Sequence, residues 1–285
     1  MSEIRIDPLS GLRVIVVAGD ALAPAHAGPA GPAGPAESAD PILTGDADLP
    51  SDPGEDPLFV VLPARGGHER IGGDRPPVAS LADLSVSQVQ EELERWRERM
   101  RAHDAAAYVH VCAEEGQAAA APLRVELFAL DFVPAAIARE RERFSAHAVR
   151  TMGANLLEDV VQEEVRRRER IVAIDDEAVL WCPYASGHPF QMMLAPRRRR
   201  DRFQDDGATG AALLHRALTL LRERCCASPP LSLWIRTAPR GAERFCWRID
   251  IVPRLEPESG LQLGTGVHIN PVAPERAAAE LRALA

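Results

Sequence analysis

The amino-acid sequence predicts an α+β chain built from two halves of similar layout, and three patterns carry the prediction. Leu123, Val125, Leu127 and Ala129 recur at period two, the spacing of one face of a β-strand. Val86, Val89, Leu93, Trp96 and Met100 fall at i, i+3, i+7, i+10 and i+14, the buried stripe of an amphipathic helix. After Arg170 a second strand cluster, followed by a helix over 208–226, repeats the layout of residues 56–134.

Composition sets the outer limits. At 285 residues and 46% hydrophobic content the chain can bury a full core as one large domain or two fused halves. A net charge of −9 argues against general nucleic-acid or anionic-membrane binding. No run of eighteen apolar residues and no basic-then-apolar leader is present, so a soluble cytoplasmic protein is expected. Cys112, Cys182, Cys225, Cys226 and Cys246 form no Cys-x-x-Cys pair, which suits a reducing compartment. The abundance of alanine, arginine and proline, with lysine absent, reflects genomic base composition.

Residues 5–18 enter as a strand, Asp7-Pro-Leu-Ser-Gly-Leu-Arg-Val-Ile-Val-Val17 at its centre. Residues 19–57 collapse to Ala, Pro, Gly, Asp and Glu, too little apolar area to offset ordering entropy, so a mobile loop is expected. Ser85-Val-Ser-Gln88 is a capping box that starts the first long helix. Tyr108–Cys112 is a strand. Arg124 and Glu126 share the second face of the strand that follows, which turns apolar at Phe128 and Leu130; Pro134 then stops it and opens a helix. Residues 135–170 are helical, with Phe144, Met152, Leu156, Val160 and Val165 as core positions and a break at Gly153-Ala-Asn-Leu-Leu157. Further strands are expected at Ile171–Ile174, Ala178–Cys182, Pro189–Leu194, Leu231–Arg236 and Phe245–Ile251. In the last of these Phe245, Trp247, Ile249 and Ile251 share one face, and Cys246, Arg248 and Asp250 the other. Pro274 opens a final helix.

Several of these stretches resemble one family. Phe132-Val133-Pro134, Asp7-Pro-Leu-Ser-Gly11, Arg236-Thr-Ala-Pro239, Cys246-Trp-Arg-Ile-Asp250 and the run Leu263–Arg282 are similar to segments of galactose-1-phosphate uridylyltransferases, of the histidine-triad superfamily. The resemblance covers most of the chain outside residues 19–57. It implies two fused histidine-triad-like halves (58–150 and 151–285, after an N-terminal strand at 1–18), with antiparallel sheets side by side, flanked by helices. It also implies a homodimer.

The same resemblance exposes departures. Anchored on Phe132–Pro134, the family's His-Pro-His-x-Gln falls on Pro122, Leu123, Arg124, Val125 and Glu126, so Arg124 stands where the nucleophilic histidine belongs. A guanidinium has no lone pair to attack phosphorus. The family's zinc positions fall on Asp40, Leu43, Pro77 and Pro122. A second family metal would draw on Glu164, with Arg236, Cys246 and Arg248 in place of its histidines. No metal and no other cofactor is expected. The family's phosphate-contacting Asn-His-Gly turn becomes Glu114-Glu115-Gly116, two carboxylates where phosphate should sit.

What remains is a set of candidates. Arg124, Glu126, Arg236, Arg248, His188 and Asn270 are candidate ligand contacts; Arg124, Cys246, Asp250 and His268 are candidate catalytic groups. The arginines either form an anion pocket or pair with Glu126 and Asp250. A thiol at Cys246 beside Arg248 would have a lowered pKa, or else Cys246 packs as a small hydrophobe. The Arg197–Arg200 run in an acidic chain, without aromatic interleaving, is a solvated loop rather than a nucleic-acid patch. Three functions follow: a uridylyltransferase-like protein that has lost nucleotidyl transfer and binds an anionic small molecule, a repurposed enzyme of specialised metabolism, or a non-catalytic interaction protein.

Overall fold

The computed structural model of the chain describes residues 2–17, 66–71, 78–116, 123–207, 209–225 and 229–284. The Ala/Pro/Gly-rich stretch 19–57, with His26, Asp40 and Leu43, lies outside the described residues, as do Pro77, the loop 117–121, Pro122 and Cys226.

The chain opens with β1 (Ser2–Ile6) and β2 (Arg13–Val17), an antiparallel pair where one strand was expected. Asp7 makes the turn by accepting from the backbone N–H groups of Leu9 (3.2 Å) and Ser10 (2.9 Å). Gly11 closes it at φ +75°, where a Cβ would also meet the Arg143 guanidinium at 3.0 Å. Next come β3 (Gly66–Arg70), α1 (Val86–Ala102), β4 (Tyr108–Glu115) and β5 (Arg124–Leu130). Ser85 and Gln88 form the expected capping box on α1. Val89, Leu93, Trp96 and Met100 are fully buried, but Val86 lies on the first turn and faces solvent.

After Pro134 follow α2 (Ala135–Arg150) and α3 (Leu156–Arg167). The expected break between them is present. Asn155 caps α3 by accepting from Leu157 and Glu158 N–H, and its amide donates to the Arg244 and Phe245 carbonyls at 2.8 and 3.1 Å. Met152, expected in the core, sits in that break and is 97% exposed. The remaining elements are β6 (Ile171–Ile174), β7 (Ala178–Trp181), β8 (Met192–Pro196), α4 (Ala211–Cys225), β9 (Leu231–Arg236), β10 (Arg248–Pro253), α5 (Gly260–Thr265), β11 (His268–Asn270) and α6 (Pro274–Arg282).

Among the described residues the strands form a small sheet, β1-β2-β11, and an eight-stranded antiparallel sheet ordered β3-β5-β4-β9-β10-β8-β7-β6. The two expected sheets are thus one continuous sheet, joined where β4 meets β9 with Cys112 opposite Trp234. Helices α1, α4 and α6 bury one face with Leu93, Trp96, Leu214, Leu218, Ala278 and Leu281. On the other face α2 and α3 cover only the far half, where Phe144 stacks on Phe245 (4.9 Å) above Trp181 and Met193.

This uneven cover is written into the burial. Every residue of β7, β8 and β10 is buried, as in a strand covered on both faces, whereas β5 and β9 alternate buried with half-buried. The open face of β3, β5, β4 and β9 carries His68, Arg124, Glu126, Phe128, Cys112, Ser232, Trp234 and Arg236. β5 therefore does not run into a core at its end: Phe128 stays half-buried on this face, stacked on His68 at 4.6 Å.

Candidate functional site

The open face gathers several groups that the sequence singled out. Glu126 on β5 is a hub: His68 lies 3.7 Å away, Arg124 3.7 Å and Arg70 4.0 Å. Cross-strand register then sets Glu126 beside Cys112 and Cys112 beside Trp234. Three donors on this face, Arg124 Nε, Arg236 Nε and the Trp234 indole N–H, are buried without a hydrogen-bond acceptor among the described residues. Unmet buried donors are costly, which marks places where a ligand can supply the acceptor.

Arg248 and Asp250 are drawn away from solvent. Arg248 makes a two-pronged pair with Glu140 of α2 (2.9 and 3.0 Å) and lies 3.3 Å from Asp250. Arg236 approaches the same carboxylates, 3.6 Å from Asp250 and 4.0 Å from Glu140. Burial alone would raise the Glu140 carboxyl, but Arg248 and Arg236 outweigh it and hold it below the usual range. For Asp250 burial wins and its pKa rises. Arg248, expected to contact ligand, is an internal ion-pair partner instead. The pairing of the arginines with Asp250 and Glu126 is what the structure displays at Arg236, Arg248 and Arg124. Glu140 was not singled out from sequence; its only signal is a carboxylate on the otherwise apolar Ile137–Phe144–Ala148 side of α2.

Cys246 is buried among Phe245, Leu157 and Trp181, and burial pushes its thiol up to about 12. It is no activated nucleophile: the neighbouring Arg248 is spent on Glu140, and desolvation dominates. Cys112 does face the open side, yet burial and the carboxylates of Glu126 and Glu114 push it up to about 11. Asn270 is also structural. Its amide donates to the Ser186 and His188 carbonyls at 2.8 and 3.2 Å, and its oxygen accepts from Val272 N–H.

Where β9 begins and β10 ends, the open face deepens into a cleft of about 540 Å³, lined by Gly116, His188, Ser232, Trp234, Arg254 and Glu258 among others. His188 and His268 meet edge to face, 5.1 Å between ring centres. The His268 ring fits because residue 187 is glycine, where a Cβ would lie 3.1 Å from it. Burial lowers both imidazoles, so each keeps a lone pair at neutral pH. The two carboxylates expected to crowd a phosphate do not act together. Glu115 turns under the sheet and accepts from Leu81 N–H at 2.8 Å, while Glu114 pairs with Arg254 at 3.1 Å.

The donor set does not suit the second family metal. Glu164 is bound by Arg170 at 3.1 Å, and Arg236 and Arg248 offer no lone pair. Among the described residues no three His, Cys, Asp or Glu side chains are grouped to hold a metal. In the arginine run, Arg199 pairs with Asp201, Arg200 with Glu177 and Asp206, and Arg202 with Asp104, so those charges are locally spent. Among the described residues no helix is long and apolar enough to cross a membrane.

Comparison with known proteins places this geometry. No family model matches the chain. It is 24% identical over 216 residues to an ADP-glucose phosphorylase of Arabidopsis thaliana, covering 71% of this chain and 60% of the relative. It is 26% identical over 203 residues to a galactose-1-phosphate uridylyltransferase of Haemophilus influenzae, covering 68% and 58%. The matched segments thus span less than two thirds of those relatives. Among solved structures, a uridylyltransferase-like protein of Arabidopsis thaliana superposes with a TM-score of 0.76 at 21% identity, covering 99% of this chain and 98% of that one. An Arabidopsis thaliana ADP-glucose phosphorylase solved with ADP-glucose gives 0.73 at 21%, covering 99% of each. The chain has the fold of the galactose-1-phosphate uridylyltransferase-like proteins and finds its homologues, at low identity, among galactose-1-phosphate uridylyltransferases and ADP-glucose phosphorylases.

Proposed function

We propose that this protein binds an anionic small molecule, of nucleotide or sugar-phosphate type, on the open face of the eight-stranded sheet, without forming a nucleotidyl-histidine. One observation carries the reading: the Arg124 and Arg236 Nε donors lie 3.7 and 3.6 Å from Glu126 and Asp250, near enough to pair in charge, yet have no hydrogen-bond acceptor among the described residues. Phosphate oxygens are the natural acceptors for such donors. The relative solved with ADP-glucose supports a ligand of this class on this fold. Arg124 itself excludes attack on phosphorus from its own position, since a guanidinium stays protonated.

A second reading, an enzyme of altered chemistry, is favoured by the His188–His268 pair at the cleft, two neutral imidazoles that keep a lone pair. The resemblance further implies a cytoplasmic homodimer, whose stoichiometry light scattering measures directly. Calorimetric titration with UMP, ADP-glucose and glucose 1-phosphate tests the main reading. Binding that weakens at least tenfold in Arg124→Ala supports it. Absence of binding by all three sinks it, and a nucleotidyl adduct found by intact-mass spectrometry overturns the loss of transfer chemistry.

A further inference from the structure

The cleft has a charge balance opposite to that of a phosphate pocket. Among the described residues its lining includes one guanidinium, Arg254, and two carboxylates, Glu256 and Glu258. Arg254 is already engaged by the Glu114 carboxylate at 3.1 Å and the Glu115 carbonyl at 3.3 Å. His188 and His268 add no charge at neutral pH, because burial lowers them further than Glu258 raises them. Gly116 contributes no side chain, and Ser232 donates its hydroxyl to Glu114. Glu256 and Glu258 therefore set the sign of the cleft.

Its aromatic wall is Trp234, half-buried, with the Arg236 guanidinium (3.6 Å from Asp250) over its ring at 5.9 Å, whereas Trp96, Trp181 and Trp247 are buried in the core. An indole face beside carboxylates is the arrangement that holds a cation: the ring quadrupole attracts it and the carboxylates pair with it. A bare phosphate there would meet two like charges. We propose that the ligand carries a protonated amine, seated against the face of the Trp234 indole opposite Arg236 and within reach of Glu256 and Glu258, so that the substrate class is an aminated sugar or sugar phosphate. This deepens the reading of the open face as a small-molecule site and rests on it. The positive end of that face is close by. Arg124 lies opposite Glu114 and Glu114 opposite Ser232, so Arg124 and the cleft are two strand spacings apart, about 10 Å. One ligand can thus place its anion at Arg124 and its amine at Trp234.

The test uses the fluorescence of Trp234, the tryptophan open to a cleft ligand, with calorimetry as the second measurement. The full-length protein is titrated with glucose, glucosamine, glucose 6-phosphate and glucosamine 6-phosphate. Within each pair the aminated member should bind about three- to tenfold tighter, the range given by exposed ion pairs and a cation over an indole. Glu256→Gln/Glu258→Gln, both on the exposed loop after β10, should abolish that preference, and high salt should shrink it. Equal affinity within the pairs, or tighter binding of the plain sugars, overturns the amine assignment. A phosphate gain lost in Arg124→Ala would still uphold the anion site on its own. Failure of all four to bind overturns the inference.

Discussion

Replacing Glu140 should unfold the protein more readily than any surface change. The carboxylate is 2% exposed and receives two charge-assisted hydrogen bonds from Arg248, itself buried, at 2.9 and 3.0 Å. In Glu140→Ala, Arg248 and Arg236 would share Asp250 alone, 3.3 and 3.6 Å away, in a site with little water. Breaking a buried pair this way costs about 3–5 kcal/mol, and in a chain of this length lowers Tm by roughly 10 °C. Urea denaturation reads the change as a lower midpoint at unchanged slope. Glu140→Leu/Arg248→Leu should be less destabilised than the two single changes summed, because it removes the orphaned charge. The pH dependence has a definite sign. The folded pKa of Glu140 is depressed, so its stabilising contribution is present above the ordinary glutamate value and is lost as pH falls through the folded one. A Glu140→Ala cost within about 0.5 kcal/mol of zero, or strict additivity in the double variant, would refute the pairing as the source of stability.

The remaining expectations are simpler to read. Cys246 and Cys182 should escape iodoacetamide at pH 8 in the native state and react after denaturation, since burial pushes both thiols up, Cys246 to about 12; peptide mapping decides, and native labelling of Cys246 would contradict its burial. His110 should titrate by NMR near 4 rather than near 6.5, because burial and then Arg236 disfavour the imidazolium, and a midpoint at the ordinary value would show that water reaches it. Asn155→Ala should cost about 1–3 kcal/mol by removing the α3 cap and the donor to the Arg244 and Phe245 carbonyls, and a neutral result in urea melts would count against that role. Gly187→Ala should displace the His268 ring and cost about 1–3 kcal/mol, with a matching change in the His268 NMR shifts; wild-type behaviour in both would mean the loop simply yields.

Local chemistry was legible wherever one segment decides its own state. The Ser85–Gln88 capping box, the buried Leu93–Trp96–Met100 stripe, the Asn155 break and the period-two strand at Val125–Ala129 all follow from spacing within a few residues. The exposed Val86 and Met152 mark the limit, since apolar periodicity does not say where a helix end leaves the core. Whether Arg124 could act as a nucleophile was likewise decided by the residue alone, because no fold deprotonates a guanidinium at neutral pH.

Partners chosen across the chain were another matter. Which arginine is buried and which meets solvent depends on how far α2 and α3 extend over the sheet. That cover claims Arg248 for Glu140, 108 residues away, and leaves Arg124 and Arg236 half-buried on the open face, 3.7 and 3.6 Å from their carboxylates. The sign of the cleft was hidden for the same reason: Arg254 is neutralised by Glu114, which lies beside Ser232 only because β4 and β9 join the halves into one sheet. Sequence determined which side chains can carry charge, attack or stack. The tertiary structure alone decided which of them are spent on one another, because a buried charge takes its partner from whatever element packs against it.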